Sequence, residues 1–297
     1  MVKLLAEHAP AKINLCLRIT GRRADGYHEL DSVFLPIAWT DTVRVEARPS
    51  DEARVTLRCD NAALADADSN LASRAAAVFM REYAICAQIL VGLEKRIPIG
   101  AGLGGGSSDA AAVLRMMAAL FAAPVDARFA TVAVGLGADV PFFLDPRPAR
   151  VRGIGEIIQP LTNMPSLNIV VAVPHAEVPT AKVFRALKRE SWSGPLGDGD
   201  LAAIVSGQIS SALMVNDLAA PAIELFPEIA KLKVLLEEEG AQAAAMSGSG
   251  GAVFGIYTDA PAAAAAAERI RARGVAARVA ATYTTDLEAL RKQPLSV

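Results

Sequence analysis

Ten residues, GAGLGGGSSD at 100–109, hold five glycines and two serines and run directly into an alanine-rich segment. Glycine lacks a Cβ, so it admits positive φ and lets a ligand approach the main chain; successive N–H groups can then be turned toward one point. From Asp109 to Phe121 the apolar positions Val113, Met116, Leu120 and Phe121 fall close to helical spacing, which makes Ser107 and Ser108 the expected N-cap of a helix. The first N–H groups of a helix have no internal partner, and its dipole leaves partial positive charge at that end. Loop and helix together form an anion cradle, best suited to phosphate. A flexible linker or a close helix-packing turn is the competing reading, but linkers are not usually joined to a capped helix, and several glycines cost about 0.5–1 kcal/mol each in regular structure.

Two familiar phosphate binders can be set against this stretch. The pattern G-x-x-x-x-G-K-[ST] fails, because no lysine follows the glycines. GAGLGG at 100–105 does satisfy G-x-G-x-x-G, and Asp126 lies about 20 residues on, as a dinucleotide site requires. Its context is wrong: Glu94, Lys95, Arg96 and Pro98 stand where a buried apolar strand should lead in, and no second strand precedes Asp126.

The elements that must position the loop read as a mixture of strands and helices. Val43, Val45 and Ala47, then Val55, Leu57 and Cys59, alternate with charged residues on either side of PSDEA and predict a half-exposed antiparallel pair. A helix is expected from Ser69 to Tyr83 and a strand from Gln88 to Glu94. ARVRGIGEIIQPL (149–161) reads as strand around glycines, and Leu167 to Val173 as a short apolar strand. Thr180 is expected to cap a helix through Lys188, and SWSGPLGDGD (191–200) to form a loop. The last third reads helix, strand, helix, strand over 229–239, 253–257, 260–273 and 275–281. This order favours α+β over a doubly wound sheet. At 297 residues the chain is long for one domain, so two are expected, 1–155 and 156–297.

Composition narrows the partners. Thirty Lys plus Arg against 32 Asp plus Glu give a formal charge of -2, so no global field favours nucleic acid or a membrane surface. Cys16, Cys59 and Cys86 are far apart, show no metal-ligand spacing, and read as reduced cysteines of a cytoplasmic protein. Lys3, Glu7 and His8 interrupt any signal-peptide core, and no apolar run has the length of a membrane span. The alanines from 260 to 267 read as helix filler.

PIGAGLGGGSSDAA (98–111) resembles the phosphate-binding motif of the GHMP kinases, the superfamily of galactokinase, homoserine kinase and mevalonate kinase. APAKINLCLRITGRRADGYHEL (9–30), GADVPFFL (137–144), PTAKVF (179–184) and MSGSGGAVFG (246–255) are similar, in order, to stretches of the branch that serves isoprenoid synthesis. The resemblance implies an N-terminal domain like ribosomal protein S5, a C-terminal ferredoxin-like α/β sandwich, and an active site in the cleft between them. It implies ATP as co-substrate, Mg²⁺, and phosphorylation of an alcohol that carries a cytidine diphosphate group. Asp139 is then the general base and Lys12 its cationic neighbour. Nucleotide phosphates lie along Pro98, Ile99, Gly100, Ala101, Gly102, Leu103, Gly104, Gly105, Gly106, Ser107 and Ser108. Tyr27 and Phe184 stack on the two faces of cytosine, His28 bonds its polar edge, and Asn14 and Thr180 add polar contacts. MSGSGGAVFG becomes a loop packed beside the phosphate loop.

Taken singly, several of these residues read otherwise: Asp139, between Gly and Pro, as a turn or cap residue, Lys12 as a surface charge, and Phe184 as core. Asp109 suits the helix dipole but would repel a phosphate, so it is expected to turn away or to act through the metal. The sequence assigns no metal ligands and leaves a monomer or a weak homodimer open. A different alcohol acceptor, or a non-catalytic nucleotide-binding role, remains an alternative.

Overall fold

The computed structural model describes residues 2–283; residues 284–297 of the expected C-terminal domain lie outside the described part. The fold is α+β, built on two sheets. Its spine is a long hairpin of β1 (Lys3–Arg22) and β2 (His28–Pro49), paired from Lys3↔Ala47 to Arg22↔His28. Register shifts after Pro10, Asn14 and Ile19 bend this hairpin, as extra residues in a ladder do. One stretch of it packs into the N-terminal core through Ala9, Phe34, Val43 and Val45, and another contributes Ile13, Leu15, Leu35 and Ile37 to a core shared with the second sheet.

The first sheet is completed by β3 (Arg54–Cys59), β4 (Ala87–Glu94), β5 (Ala149–Gly153) and β6 (Ile157–Pro160), in the order β3-β4-β2-β5-β6. Here one expectation is corrected. The segments flanking PSDEA do not pair with each other: β4 lies between them, antiparallel to β2 and parallel to β3. The parallel pair requires a crossover, supplied by α1 (Leu71–Glu82), whose N-cap Asn70 accepts from the Ala72 N–H at 2.9 Å. The burial of β4 alternates strictly and places Ala87, Ile89, Val91 and Leu93 in the core, while β3 has no fully buried residue and takes the edge. Helices α2 (Gly105–Phe121), α3 (Ala127–Leu136) and α4 (Val140–Phe143) complete the layer. Asp126, the residue that mimicked a dinucleotide fingerprint, is the N-cap of α3.

The chain passes from the first sheet to the second between Pro160 and Asn168, since β6 still pairs with β5. The second sheet is antiparallel and holds β7 (Asn168–Val173), β8 (Ala243–Met246), β9 (Val253–Tyr257) and β10 (Ala276–Ala281) in the order β10-β7-β9-β8. With helices between β7 and β8 and between β9 and β10, this is the β-α-β-β-α-β arrangement of ferredoxin-like domains. The helices are α5 (Thr180–Ala186), α6 (Asp198–Val205), α7 (Ala219–Leu225), α8 (Glu228–Glu238) and α9 (Ala260–Ala272). In α9 the alanines 263, 266 and 267 line the buried face with Ile270. Thr180 is the first helical residue of α5, with Pro179 at the cap, and the expected loop 191–200 already turns into α6 at Asp198.

Ile169, Val171, Phe254 and Ile256 of the second sheet meet Ile13, Leu15, Leu35 and Ile37 of the hairpin in one buried cluster. Each such side chain contributes about 1.5–3 kcal/mol by leaving water, so the two halves are held by a core rather than by a linker. Among the described residues no helix is long and apolar enough to cross a membrane.

Candidate active site

The glycine loop is held open by its own backbone. Gly104 has φ 74°, and a Cβ there would stand 2.8 Å from the Phe143 ring and 3.2 Å from Lys12 Cγ. Only glycine satisfies both the left-handed backbone and this close approach. Gly104 is also the N-cap of α2, so Ser107 and Ser108 are not the cap but part of the first turn. The first internal bond runs from the Ser108 N–H to the Gly104 carbonyl at 2.9 Å. The earlier N–H groups of the helix are therefore the orphan donors that an anion needs. Ser107 is half-exposed, whereas Ser108 is buried and its Oγ has no partner among the described residues.

Lys12 lies against this loop. Its backbone N–H donates to the Leu103 carbonyl at 2.9 Å, and its Nζ donates to Asn14 Oδ1 at 2.7 Å and stands 3.6 Å from Asp139 Oδ2. The lysine side chain is 4% exposed and the aspartate 30%, so a buried cation faces a carboxylate that solvent or substrate can reach. Burial pulls the Lys12 ammonium below its ordinary value, and the charge of Asp139 pushes it back. Asp139 occupies the cap position of α4 but makes no capping hydrogen bond, which leaves its carboxylate free for other work. Asn14 spends its side chain on Lys12 and on Ser32, to which Nδ2 donates at 2.9 Å.

The second glycine stretch packs on the first. Ser247 Oγ donates to the Gly102 carbonyl at 3.1 Å and accepts from the Asn14 N–H at 3.3 Å, while the Ala252 N–H donates to the Ala101 carbonyl at 3.2 Å. A Cβ at Gly102, where φ is 73°, would overlap the Ser247 carbonyl. Both halves of the chain thus shape one site. Beside it opens a cleft of ≈ 370 Å³, bounded by Asn61, Lys95 to Ala101, Val173 to Glu177 and Gly250. It reaches the Pro98–Ala101 end of the loop and does not extend to Lys12 or Asp139.

Asp109 turns away from the loop. It pairs with Lys95, which also pairs with Asp41, and all three side chains are buried. Asp41 Oδ1 in turn accepts from the N–H groups of Arg96 and Ile97, so this triad fixes one wall of the cleft. Burial raises the Asp109 carboxyl to about 7 against the pull of Lys95.

The remaining predicted residues lie along α5 and at the hairpin tip. Thr180 Oγ1 accepts from Ser249 Oγ at 2.8 Å, beside the second glycine stretch. One helical turn on, about 6 Å by helix rise, Phe184 stacks on His28 with centroids 5.4 Å apart and planes at 30°. Tyr27 is 62% exposed at the hairpin tip, so the structure brings His28, not Tyr27, against Phe184. Burial, and then the charge of Arg22, lower the His28 pKa and favour the neutral ring. Sequence reading missed Asn61 and His175, which line the cleft, Asp41 and Lys95, which fix its wall, and Trp192, whose ring meets that of His28 edge-on. Lys95 and Asp41 carry no local signature, because two charges far apart in sequence read as surface until the fold buries them together.

Comparison with known proteins bears on the same regions. The pattern of the GHMP kinases N terminal domain matches residues 70–145, and that of the GHMP kinases C terminal matches 201–276. The 4-diphosphocytidyl-2-C-methyl-D-erythritol kinase of Sinorhizobium medicae is 39% identical over 284 residues, 93% of this chain and 94% of that one. The enzyme of the same name from Thermus thermophilus is 42% identical over 267 residues, 90% and 92% of the two chains. A crystal structure of 4-(cytidine 5'-diphospho)-2C-methyl-D-erythritol kinase superposes with a TM-score of 0.80 at 38% identity, covering 95% of this chain and 100% of that one.

Proposed function

Because this chain belongs to the GHMP kinases, and within them to the family of the 4-diphosphocytidyl-2-C-methyl-D-erythritol kinases, we propose that it phosphorylates the 2-hydroxyl of that cytidine diphosphate alcohol with ATP. The products are the 2-phosphate and ADP, in a step of the non-mevalonate route to isoprenoid precursors. The carrying observation is the convergence of the Gly104 helix head, Lys12 and Asp139, with Lys12 Nζ 3.6 Å from Asp139 Oδ2.

Phosphoryl transfer is governed by positioning and charge stabilisation. A bond forms from the acceptor oxygen to the γ-phosphorus, and the bond from that phosphorus to the bridging oxygen breaks, its electron pair leaving with ADP. Asp139 takes the hydroxyl proton. Lys12, with Nζ 3.6 Å from Asp139 Oδ2, orients that carboxylate and offsets charge on the transferred group. The loop from Pro98 to Ser108 receives the phosphates, with Ile99, Gly100, Ala101, Gly105 and Gly106 among its backbone donors or close-approach positions.

Mg²⁺ is usually held through few protein oxygens and the substrate phosphates. The hydroxyls of Ser107 and Ser108 fit that need, because Ser108 Oγ is buried at the helix head without a partner among the described residues. The ion would supply neutralisation of the polyphosphate charge. Tyr27, His28, Phe184, Thr180 and Asn14 form the acceptor side, with His28 reading the polar edge of cytosine. All these residues come from one chain, so the site needs no second subunit; a monomer or weak homodimer in the cytoplasm, where ATP is supplied, is the proposed form.

The test is a coupled ATP-consumption assay with a panel of alcohols. Rapid turnover of the cytidine diphosphate alcohol, with a phosphomonoester product, supports the proposal. Turnover of homoserine or mevalonate instead, or no turnover, overturns it.

A further inference from the structure

His28 is the one residue of the acceptor side whose function depends on the direction of a ring nitrogen, and among the described residues no side chain hydrogen-bonds to that ring. Packing must therefore set its orientation. Phe184 covers one face, and Trp192 meets the ring edge-on, with centroids 5.8 Å apart and planes at 87°. A face contact and an edge contact together restrain the plane of an imidazole more than either does alone.

Trp192 is itself held by its loop. Its indole N–H is buried and has no acceptor among the described residues, so no hydrogen bond of its own aims it. The backbone on either side is clamped instead. The Trp192 N–H donates to the Arg189 carbonyl at 3.2 Å, and the Gly194 N–H to the Ile19 carbonyl at 3.3 Å. Ser193 gives its N–H to Asp217 Oδ2 at 2.9 Å and its hydroxyl to Asp217 Oδ1. The Leu196 N–H donates to Asp31 Oδ2 at 3.0 Å, and Arg150, paired with Asp31, donates to the Leu196 carbonyl at 2.9 Å. Asp31 and Asp217 are buried, and Asp217 also accepts from the Ile19 N–H at 2.7 Å. A segment with no regular structure of its own is thus fastened to β1 and β2, the two strands whose far ends meet at Arg22 and His28.

We propose that Trp192 is a positioning residue of the acceptor pocket, which aims the His28 imidazole at the polar edge of the pyrimidine. This rests on the reading of the acceptor as a cytidine diphosphate alcohol. It adds a third aromatic wall that the motifs do not contain.

The experiment compares the unmodified chain with Trp192→Leu and Trp192→Phe. Steady-state kinetics give KM for acceptor and for ATP, and titration with CDP is followed by calorimetry and tryptophan emission. An aromatic contact of this kind is worth about three- to tenfold in affinity. Trp192→Leu is expected to raise the acceptor KM by that factor, with kcat and the ATP KM within about twofold. Trp192→Phe, which keeps a ring edge, is expected to restore most of the loss. CDP should change the emission of the unmodified chain, and the change should vanish in Trp192→Phe, which retains Trp39 as an internal control. An unchanged acceptor KM in Trp192→Leu overturns the inference, as does a joint rise in both KM values or a phenylalanine variant no better than leucine. If the unmodified chain does not bind CDP at all, the functional reading falls and takes this one with it. CDP binding that is indifferent to residue 192 removes Trp192 alone.

Discussion

Lys12 reaches Asp139 across the head of α2, Nζ to Oδ2 at 3.6 Å, while its Cγ lies against Gly104 and its backbone N–H is tied to Leu103. One lysine therefore registers the carboxylate against the glycine loop. Asp139→Asn keeps the shape and removes the proposed proton acceptor. Turnover is expected to fall by about 10²- to 10⁴-fold, with the ATP KM within a few-fold and the chain still folded, its thermal midpoint lowered because the buried Lys12 loses the charge that faces it. Near-normal kcat in this variant would exclude Asp139 from the chemistry.

Gly104→Ala adds a methyl where φ is 74° and where the Phe143 ring stands 2.8 Å away. The backbone strain alone costs about 1–2 kcal/mol. A lower thermal midpoint and a raised ATP KM are expected together. Gly135→Ala is the control: its added Cβ meets nothing within 4 Å and it lies in α3, so that change is expected to be neutral or to stabilise by up to about 1 kcal/mol. Equal effects at both positions would remove the special role of Gly104.

The buried Asp41–Lys95–Asp109 triad makes stability depend on pH. Burial raises Asp109 to about 7, with Asp41 adding to the rise and Lys95 opposing it. The folded chain then keeps a proton that the unfolded chain has released. Stability from this group is full below the ordinary carboxylate value of 3.8 and is lost as pH rises through about 7. Asp109→Asn cannot ionise. The midpoint of this variant relative to the unmodified chain is expected to improve from pH 5 to pH 8 in thermal scans, and a pH-independent difference would show Asp109 ionised throughout.

Nucleotide competition addresses the acceptor side. CDP is expected to compete with the acceptor more strongly than UDP, because a neutral His28 can distinguish the exocyclic amine and ring nitrogen of cytosine from the uracil edge. His28→Ala should narrow that preference and leave the ATP KM unaltered. Inhibition constants for the two nucleotides provide the check, and stronger competition by UDP would refute the assignment of this pocket.

What could be read from the chain alone was local. Glycine-rich backbone followed by a helix means open donors at a helix head whatever surrounds it, so the expectation of such donors at the head of α2 needed no tertiary information. Strand Val253–Tyr257 and the alanine helix from residue 260 were likewise legible, since period and propensity act over a few residues. Asp139 and Lys12 were singled out by resemblance of motifs, not by their own chemistry, because each taken alone is an ordinary turn or surface residue. The tertiary structure alone decided which strand lies beside which: β4 separates β2 from β3 because the more apolar strand takes the interior place, a competition no window of sequence contains. It alone decided that Asp41, Lys95 and Asp109 bury one another, and that Asp217 and Asp31 fasten Ser193 and Leu196, next to the Trp192 ring that meets His28. Such pairings join residues far apart in sequence, and their stability depends on burial, a property that does not exist until the chain has folded.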